Sequence, residues 1–441
     1  MKFPSYYLLL QEYVSFKSVS TDKTFASGIE AMTRWLLKKF HESRFKNVQR
    51  LEGPNSNPVV YAEYTISDPT ATTILFYGHY DVQPADKAEG WTGDPFVLHI
   101  DDKYAVGRGS VDNKGQNLIH LYTAMRLIEE KNLGCNVKFL IEGGEETGSP
   151  DIGYLITEYA ELLKCDRIII SDGQMLEGDI PTIESSLRGG GNLTITYKTS
   201  DEDLHSGLYG GPVPSALQSL IHLLDGMVSC DNWMLMEGAY KGMLGLSPEQ
   251  MMTNKKISEL NNPVKTGLVK ALIGDYDFQS AVANRPTMTV TGFSGGYTGI
   301  GYKNIIPGTA QAKINFRLVG EQTPEKFVEA FKKHVEENTP AYIEYSIDVA
   351  QIYPPVNLKT DTPEVAHIMK LQEKVYGKKP MILGIGAGIP AVKAFQDILG
   401  IDTILLSLAN YDCNMHGVDE RFSIRLIEKG LELSELILKK D

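Results

Sequence analysis

Residues 73–81 read Thr-Ile-Leu-Phe-Tyr-Gly-His-Tyr-Asp, an uninterrupted apolar run that ends in polar side chains. A strand that is covered on both faces of a sheet needs such a run. Segments of the same character lie at residues 136–141, 167–170 and 403–407. Residues 115–133 place apolar side chains at spacings of three and four, which is typical of a helix. Strands that alternate with helices predict an α/β fold, with a mostly parallel sheet covered by helices on both faces.

The middle of the chain has a different pattern. Residues 193–197 and 312–318 alternate apolar with polar side chains, as half-exposed antiparallel strands do. Helices are predicted over residues 214–228 and 324–338, each of which begins with proline. These elements predict a smaller α+β domain.

The order of the two patterns along the chain predicts the domain organisation. We expect the α+β domain to span residues 186–356 and to be inserted into a main domain formed by residues 1–185 and 357–441. A glycine run at residues 189–191 lies near one junction, and the sequence Tyr-Pro-Pro at residues 353–355 lies near the other.

Composition excludes several classes of function. The chain carries 43 Lys and Arg against 56 Asp and Glu, a formal charge of −13, which disfavours binding to nucleic acid. Its 4 cysteines are scattered without a CxxC pair, as in proteins of a reducing compartment, so we expect a cytoplasmic protein. No apolar run approaches about 18 residues, so no membrane span is expected. The apolar patch at residues 6–10 is interpreted as the start of an amphipathic helix rather than a signal peptide.

Acidic and histidine side chains follow the predicted parallel strands where each strand ends. His79 and Asp81 end the first run, Glu145 and Glu146 follow the second, and Asp172 follows the third. Residues two apart in a strand face the same side, so Asp81 is placed to accept a hydrogen bond from the His79 ring. In open α/β sheets, ligands bind outside the carboxyl ends of the strands. These residues are therefore candidates for one site.

Two further segments add candidate ligands. Asp112 lies in a glycine-rich stretch at residues 107–115, and His416 lies in the stretch 414–420. Neutral imidazole and carboxylate oxygen together suit Zn²⁺ or Mn²⁺, and two cations need a bridging anion that one carboxylate can supply. Each residue also has an ordinary interpretation by itself, such as a phosphate loop, a solvated turn or a helix cap. Their joint position at strand ends and glycine turns favours a metal site.

Six segments of the chain resemble the signatures of metallopeptidase family 20, in the family's order and over nearly the whole length. That family includes carnosinase-like dipeptidases, carboxypeptidase G, acetylornithine deacetylase and succinyl-diaminopimelate desuccinylase, and the chain looks most like the carnosinase-type branch. The segments are GHYDVQP, GRGSVDNKGQ, EGGEETGS, SDG, DLHSGLYGG and NMHGVDE. The resemblance implies a homodimer whose inserted domain serves as a lid and dimerisation domain. It also implies that the main domain hydrolyses the amide bond of dipeptides or similar small peptides.

The resemblance also assigns roles at the predicted metal site. It implies that His79 and Asp172 hold one divalent ion, that Glu146 and His416 hold the other, and that Asp112 bridges them. The ions would be Zn²⁺ or Mn²⁺.

The same resemblance gives roles to residues beside the ligands. Glu145 would be the general base and acid that activates water, and Asp81 would orient the ring of His79. A cis peptide bond is expected between Asp112 and Asn113.

Four residues nearer the lid also carry over from the resemblance. His205 would reach the site of the partner subunit and stabilise an oxyanion, and Arg317 would bind the free carboxylate of the substrate. Asn304 aligns with a polar substrate contact. Gly388, in the sequence GIGAGIP at residues 384–390, stands where the dipeptidase branch has a substrate-binding serine, and this stretch also lacks the arginine of that branch.

Three functions remain open from the sequence. The first is a dipeptidase or related exopeptidase, and the second is a deacylase of N-acyl amino acids that uses the same metals. A requirement for a free amine on the substrate would separate these two. The third is a non-catalytic relative, against which the intact Glu145 argues, because a protein without turnover does not need that base.

Overall fold

The computed structural model describes residues 2–440, which divide into two compact units. The first unit contains the described residues up to Ser185, then Leu358–Leu383 and the described residues from Ile389 onward. The second unit contains Ser186–Asn357 and the short segment Gly384–Gly388.

A six-stranded sheet forms the centre of the first unit. The four strands predicted from apolar runs lie side by side and are parallel. The next strand, Val59–Tyr64, runs antiparallel to them, and the edge strand Lys46–Leu51 runs antiparallel to Val59–Tyr64. Across the sheet, the order is Lys46–Leu51, Val59–Tyr64, Asn136–Glu142, Thr73–His79, Arg167–Ile170 and Thr403–Leu405.

Both faces of this sheet are covered. Successive residues of a strand point to opposite faces, and Leu75, Phe76 and Tyr77 are all buried. The same holds for residues 168–170 in the neighbouring strand. Helices of the first unit are Pro4–Ser15, Ala26–Glu42, Lys114–Glu129, Ile152–Glu158, Ala160–Leu163, Pro363–Tyr376, Pro390–Ala394 and Ile424–Leu438, with shorter helical turns at Lys23–Phe25, Lys87–Glu89, Glu145–Thr147 and Phe395–Leu399.

The helix predicted over residues 115–133 is observed as Lys114–Glu129 and ends earlier than the apolar pattern suggested. Lys131 adopts a left-handed φ of 56°, which ends the helix before Leu133. The helix Pro363–Tyr376 is capped at both ends: the side chain of Thr362 accepts a hydrogen bond from the Val365 N–H, and Gly377 takes the left-handed conformation.

A small antiparallel sheet in the first unit has strands His99–Ile100, Tyr104–Val106 and Arg421–Ser423. Val106 pairs with Arg421, so the segments next to these two residues become neighbours. A further three-stranded sheet has strands Val356–Asn357, Thr182–Leu187 and Met381–Ile385.

The second unit is built on a four-stranded antiparallel sheet. Along Thr309–Leu318, buried apolar residues alternate with more exposed polar residues, as the sequence pattern predicts. The helices Ala216–Asp225 and Pro324–Asn338 pack on the sheet and enclose a core that includes Phe316 and Phe331. The strands lie in the order Thr287–Gly295, Thr309–Leu318, Gly189–Lys198 and Glu344–Tyr353. The unit also contains the two-residue strands Leu204–His205 and Ile305–Ile306 and the helices Ser206–Tyr209, Pro248–Leu260 and Phe278–Ala283.

The helix Ala216–Asp225 is shorter than the predicted span 214–228. It begins after Ser215, whose side chain accepts a hydrogen bond from the Gln218 N–H. Within residues 2–440, none of the helices has the length and apolar character needed to cross a membrane.

Candidate metal centre

The carboxyl ends of the central parallel strands bring the first two candidate ligands together. His79 is the last residue of its strand, and Asp172 comes shortly after the end of the strand Arg167–Ile170. These two strands are paired, with Tyr77 opposite Ile170. As a result, the Nε2 atom of His79 lies 3.5 Å from a carboxylate oxygen of Asp172.

Asp112 and His416 meet because of the small antiparallel sheet. The pairing of Val106 with Arg421 places the loop before Asp112 beside the loop that contains His416. Asp112 directs one carboxylate oxygen to His79 Nε2 at 3.0 Å and the other to His416 Nε2 at 2.7 Å. The peptide bond from Asp112 to Asn113 is cis, as the resemblance implies.

Glu145 and Glu146 lie in a single helical turn after the strand Asn136–Glu142. Their backbone N–H groups donate to the carboxylate of Asp81, at 3.3 Å and 3.1 Å, which fixes the turn against the end of the neighbouring strand. A carboxylate oxygen of Glu146 lies 3.4 Å from His416 Nε2, and one of Glu145 lies 3.9 Å from His79 Nε2.

The candidate ligands form two groups that share one residue. His79, Asp112 and Asp172 make up the first, and Asp112, Glu146 and His416 make up the second. Within each group, one ligand atom from every residue lies within 4.8 Å of the others. The structure therefore brings together all the candidate metal ligands named from the sequence, with Asp112 in the shared position.

The histidine of the first group has the hydrogen-bond arrangement expected of a metal ligand. His79 is fully buried, and its Nε2 atom has no hydrogen-bond partner among the described residues. Its Nδ1 atom lies 3.0 Å from the backbone carbonyl oxygen of Asp81, to which it can donate, and that bond leaves the Nε2 lone pair free. The Asp81 carboxylate lies farther away, at 3.4 Å, because it accepts the backbone N–H groups of Glu145 and Glu146. This arrangement fits a divalent cation at Nε2.

The electrostatics of the centre also favour a cation. Burial and the negative charge of Asp112 raise the pKa of Glu146 to about 8, and burial raises the pKa of Glu145 well above its usual value. A hydrogen bond to Asp112 raises the pKa of His416 to about 9. Burial acts to lower the pKa of His79, but the surrounding carboxylates outweigh it and raise that pKa well above its usual value. The carboxylates thus need positive charge nearby, which protons or metal ions can provide.

Three side chains that support the ligands have no role among the predictions made from the sequence. Asn113 donates from its side chain to the Asp172 carboxylate at 2.7 Å, and Gln83 donates to Glu146 at 2.6 Å. Glu420 is completely buried beneath the loop that carries Asp112. All three lie inside the segments quoted for the family resemblance. Their presence in those segments was the sequence signal that could have identified them.

Glu420 holds the Asp112 loop through several hydrogen bonds. Its carboxylate accepts the backbone N–H groups of Gly109, Val111 and Asp112, at 3.0, 2.8 and 3.1 Å. It also pairs with the buried guanidinium of Arg108 at 2.8 Å. Since the backbone N–H of Asp112 donates one of these hydrogen bonds, the position of this candidate ligand depends on Glu420.

We expect replacement of Glu420 by Gln to lower the free energy of unfolding by about 3–5 kcal/mol, because it leaves the buried Arg108 without a counter-charge. Chemical denaturation measures this change. The control is Glu161→Gln, which breaks an exposed ion pair with Lys164 and should cost less than about 1 kcal/mol. Equal stability of the two variants would contradict the supporting role of Glu420.

The remaining predicted site residues lie in the second unit. His205 is exposed, and its Nδ1 atom accepts the Gly207 N–H at 3.0 Å. Its two-residue strand pairs with Ile305–Ile306, and the carbonyl oxygen of the adjacent Asn304 accepts the Ser206 N–H. His205 and Asn304 are therefore neighbours at one surface of this unit.

Arg317 and Gly388 both lie beside Tyr353 in the second unit. Arg317 donates a hydrogen bond to the hydroxyl of Tyr353. A Cβ atom at Gly388 would come within 2.6 Å of the Tyr353 ring and 2.7 Å of the Arg188 carbonyl oxygen. A serine at position 388 therefore has no room in this structure, which explains the glycine.

Comparison with known proteins agrees with this architecture. The model of peptidase family M20/M25/M40 matches residues 75–440. Human Beta-Ala-His dipeptidase is 31% identical over 378 residues, 83% of this chain and 74% of that protein. The Cys-Gly metallodipeptidase of Schizosaccharomyces pombe is 29% identical over 449 residues, 96% and 93% of the two chains. The structure of an M20 family metallo-carboxypeptidase from Sulfolobus solfataricus has a TM-score of 0.86 and 29% identity, and the match covers 98% of this chain and 97% of that one.

The α/β sheet, the polar side chains at its carboxyl edge and these relatives define the protein as a hydrolase of peptide bonds. The chain belongs to peptidase family M20/M25/M40. The predicted family and the predicted α/β fold are thereby confirmed.

Proposed function

We propose that the protein is a dipeptidase that binds two divalent metal ions, Zn²⁺ or Mn²⁺, and hydrolyses the peptide bond of small peptides. The observation that carries this proposal is the position of Asp112 in both candidate ligand groups, with Glu145 beside them. The relatives named as dipeptidases of Beta-Ala-His and Cys-Gly support the substrate class. No feature of the site favours a deacylase.

In this proposal, His79, Asp112 and Asp172 hold one ion, and Asp112, Glu146 and His416 hold the other. When bound, such ions supply Lewis acidity that lowers the pKa of water and polarises the substrate carbonyl group.

Glu145 is the proton carrier of the proposed reaction. Its carboxylate is mostly buried and lies 3.9 Å from His79 Nε2, so it reaches the region between the ligand groups. It would take a proton from the attacking water and pass that proton to the leaving amine. The Asp81 carboxylate accepts a hydrogen bond from the backbone N–H of Glu145 and so fixes the position of the Glu145 backbone.

Residues of the second unit would bind the substrate. Arg317 has a planar guanidinium, which suits the free carboxylate of a dipeptide, and Asn304 and the backbone at Gly388 would add polar contacts. His205 would donate a hydrogen bond to the oxyanion of the tetrahedral intermediate. We further propose that the protein is a cytoplasmic homodimer in which His205 serves the site of the partner. Its 4 cysteines are free, which suits a reducing compartment.

A substrate screen tests the proposed function. Protein reloaded with Zn²⁺ or Mn²⁺ should cleave free dipeptides, and the metal-chelated protein should not. The same peptides with an acetylated amine serve as the comparison, since a dipeptidase requires the free amine and a deacylase does not. Preferential cleavage of acetylated substrates, or the absence of bound metal after reloading, would overturn the proposal.

The role of His205 in the partner's site predicts complementation between two inactive variants. His205→Ala should lower turnover by about 10²–10³-fold, the effect of removing one oxyanion donor, without changing the metal content. Mixing it with Asp112→Ala under conditions of subunit exchange should restore activity, because each mixed dimer contains one site with both residues intact.

The control variant for this experiment is His222→Ala, which removes an exposed histidine from a helix of the same unit. It should retain full activity and should show no gain on mixing. If the mixture of His205→Ala with Asp112→Ala stays inactive although the subunits exchange, His205 does not act across the dimer.

A further inference from the structure

Arg188 is held against the segment Gly384–Gly388 in the second unit. Its Nε donates to the carbonyl oxygen of Gly386 at 3.0 Å, and its backbone N–H donates to the carbonyl oxygen of Ala387 at 3.1 Å. A Cβ atom at position 386 would lie 3.0 Å from the guanidinium of Arg188. Glycine in this segment thus lets the cation of Arg188 approach the backbone closely.

Arg317 approaches the same place from the sheet. It lies opposite Gly190, and a Cβ atom at Gly190 would come within 3.2 Å of the Arg317 side chain. Its guanidinium donates to the Tyr353 hydroxyl, and the ring of Tyr353 lies over Gly388. Tyr353 therefore connects Arg317 to the segment on which Arg188 lies.

Within residues 2–440, the two arginines lack a carboxylate partner. Among the described residues, no carboxylate lies within 4.0 Å of either guanidinium, whereas Arg108, Arg126 and Arg421 each have one. Burial and the nearby charge of Arg317 lower the pKa of Arg188 to about 10. Two partly buried positive charges that repel each other are energetically unfavourable unless an anion binds between them. Both arginines remain partly accessible, so that anion can come from solution.

We propose that Arg188 and Arg317 form a two-arginine site for the C-terminal residue of a substrate that carries two carboxylates. This inference rests on the proposed dipeptidase function and extends it to a substrate class, dipeptides that end in Asp or Glu. Arg317 binds the terminal carboxylate, and Arg188 binds the carboxylate of the side chain. A neutral C-terminal residue brings one negative charge to two guanidinium groups, whereas an acidic residue brings two and balances both.

The test compares acidic substrates with their amides, which have nearly the same shape. For the metal-loaded protein, kcat/KM is measured for Ala-Asp against Ala-Asn and for Ala-Glu against Ala-Gln. We expect a preference of about tenfold or more for the acid, equivalent to about 1.4 kcal/mol. In Arg188→Gln, the loss on the acid should exceed the loss on the amide by about tenfold, and Arg188→Lys should recover part of the preference.

The control Lys313→Gln removes an exposed positive charge from the strand that carries Arg317 and should keep the acid preference. An equal loss on acid and amide in Arg188→Gln would overturn the proposal, since a purely structural role of Arg188 affects both substrates alike. No acid preference in the unaltered protein would also overturn it.

Failure of the proposed function would be visible separately, as the absence of cleavage of all four peptides. In that case calorimetry with free aspartate and asparagine decides the matter, because it requires no turnover. Tighter binding of aspartate that is lost in Arg188→Gln supports the two-arginine site, and equal binding of both amino acids rejects it.

Discussion

Replacement of Glu145 by Gln is expected to lower kcat by about 10²–10⁴-fold while the protein keeps its metal content. The amide has nearly the same size but cannot accept a proton from water. Glu145 lies 3.9 Å from the nearest ligand nitrogen and is not part of either ligand group, so its loss should leave the metal ions in place. Steady-state kinetics on a cleaved dipeptide, together with elemental analysis of the same sample, measures both quantities.

A suitable control for this prediction is Glu158→Gln, since Glu158 is exposed at the end of the helix Ile152–Glu158. That variant should match the unaltered protein in both measurements. Normal turnover in Glu145→Gln would remove the assigned base. Loss of metal together with turnover would instead show that Glu145 is needed for the ligand groups.

Replacement of Asp112 by Asn should weaken the binding of both metal ions, because this carboxylate belongs to both candidate groups. Residues that only support a ligand typically contribute 10–100-fold to metal affinity, so loss of the shared ligand should cost more than about 100-fold. At a limiting metal concentration, activity should fall by at least the same factor as the metal affinity. Competition with a coloured chelator measures the affinity, and the stoichiometry shows whether one ion or two are lost.

Asp102→Asn serves as the comparison, because Asp102 is exposed in a turn before the strand Tyr104–Val106. It should leave affinity and stoichiometry unchanged. Retention of both ions at normal affinity in Asp112→Asn would contradict the shared position of this residue.

The sequence predicts the centre of the fold well, because each parallel strand carries its own signal. The run at residues 167–170 coincides with the observed strand, since continuous apolar side chains have few alternatives to burial on both faces. The polar residues at the ends of these strands follow from the same pattern. The strand pattern by itself therefore predicts that His79, Asp172 and the Glu145–Glu146 pair lie at one edge of the sheet.

Other parts of the site depend on contacts that leave no local pattern. Asp112 meets His416 because the strands Tyr104–Val106 and Arg421–Ser423 pair, and strands of three residues are too short for a periodic signal. Apart from the family resemblance, the sequence adds each residue to the candidate site but does not pair the two. The contact of the His79 ring with the carbonyl group of Asp81 has no sequence signal either, since backbone acceptors are the same for every residue type.

Arg188 shows a third reason for an incomplete prediction. Residues 384–390 lack the arginine that the dipeptidase branch has in this stretch. The structure supplies a guanidinium to this segment from Arg188, which is remote in sequence and lies next to a glycine run. A linear motif cannot reveal a side chain that reaches a segment from elsewhere in the fold.

The buried pair of Arg108 and Glu420 joins residues that are 312 positions apart in the chain. Proteins open locally at a smaller free-energy cost than they unfold completely. An opening that separates these two residues would release the Asp112 loop while the six-stranded sheet stays folded. The catalytic competence of the molecule is therefore more fragile than its architecture, and a sample with an intact circular dichroism spectrum can still be inactive.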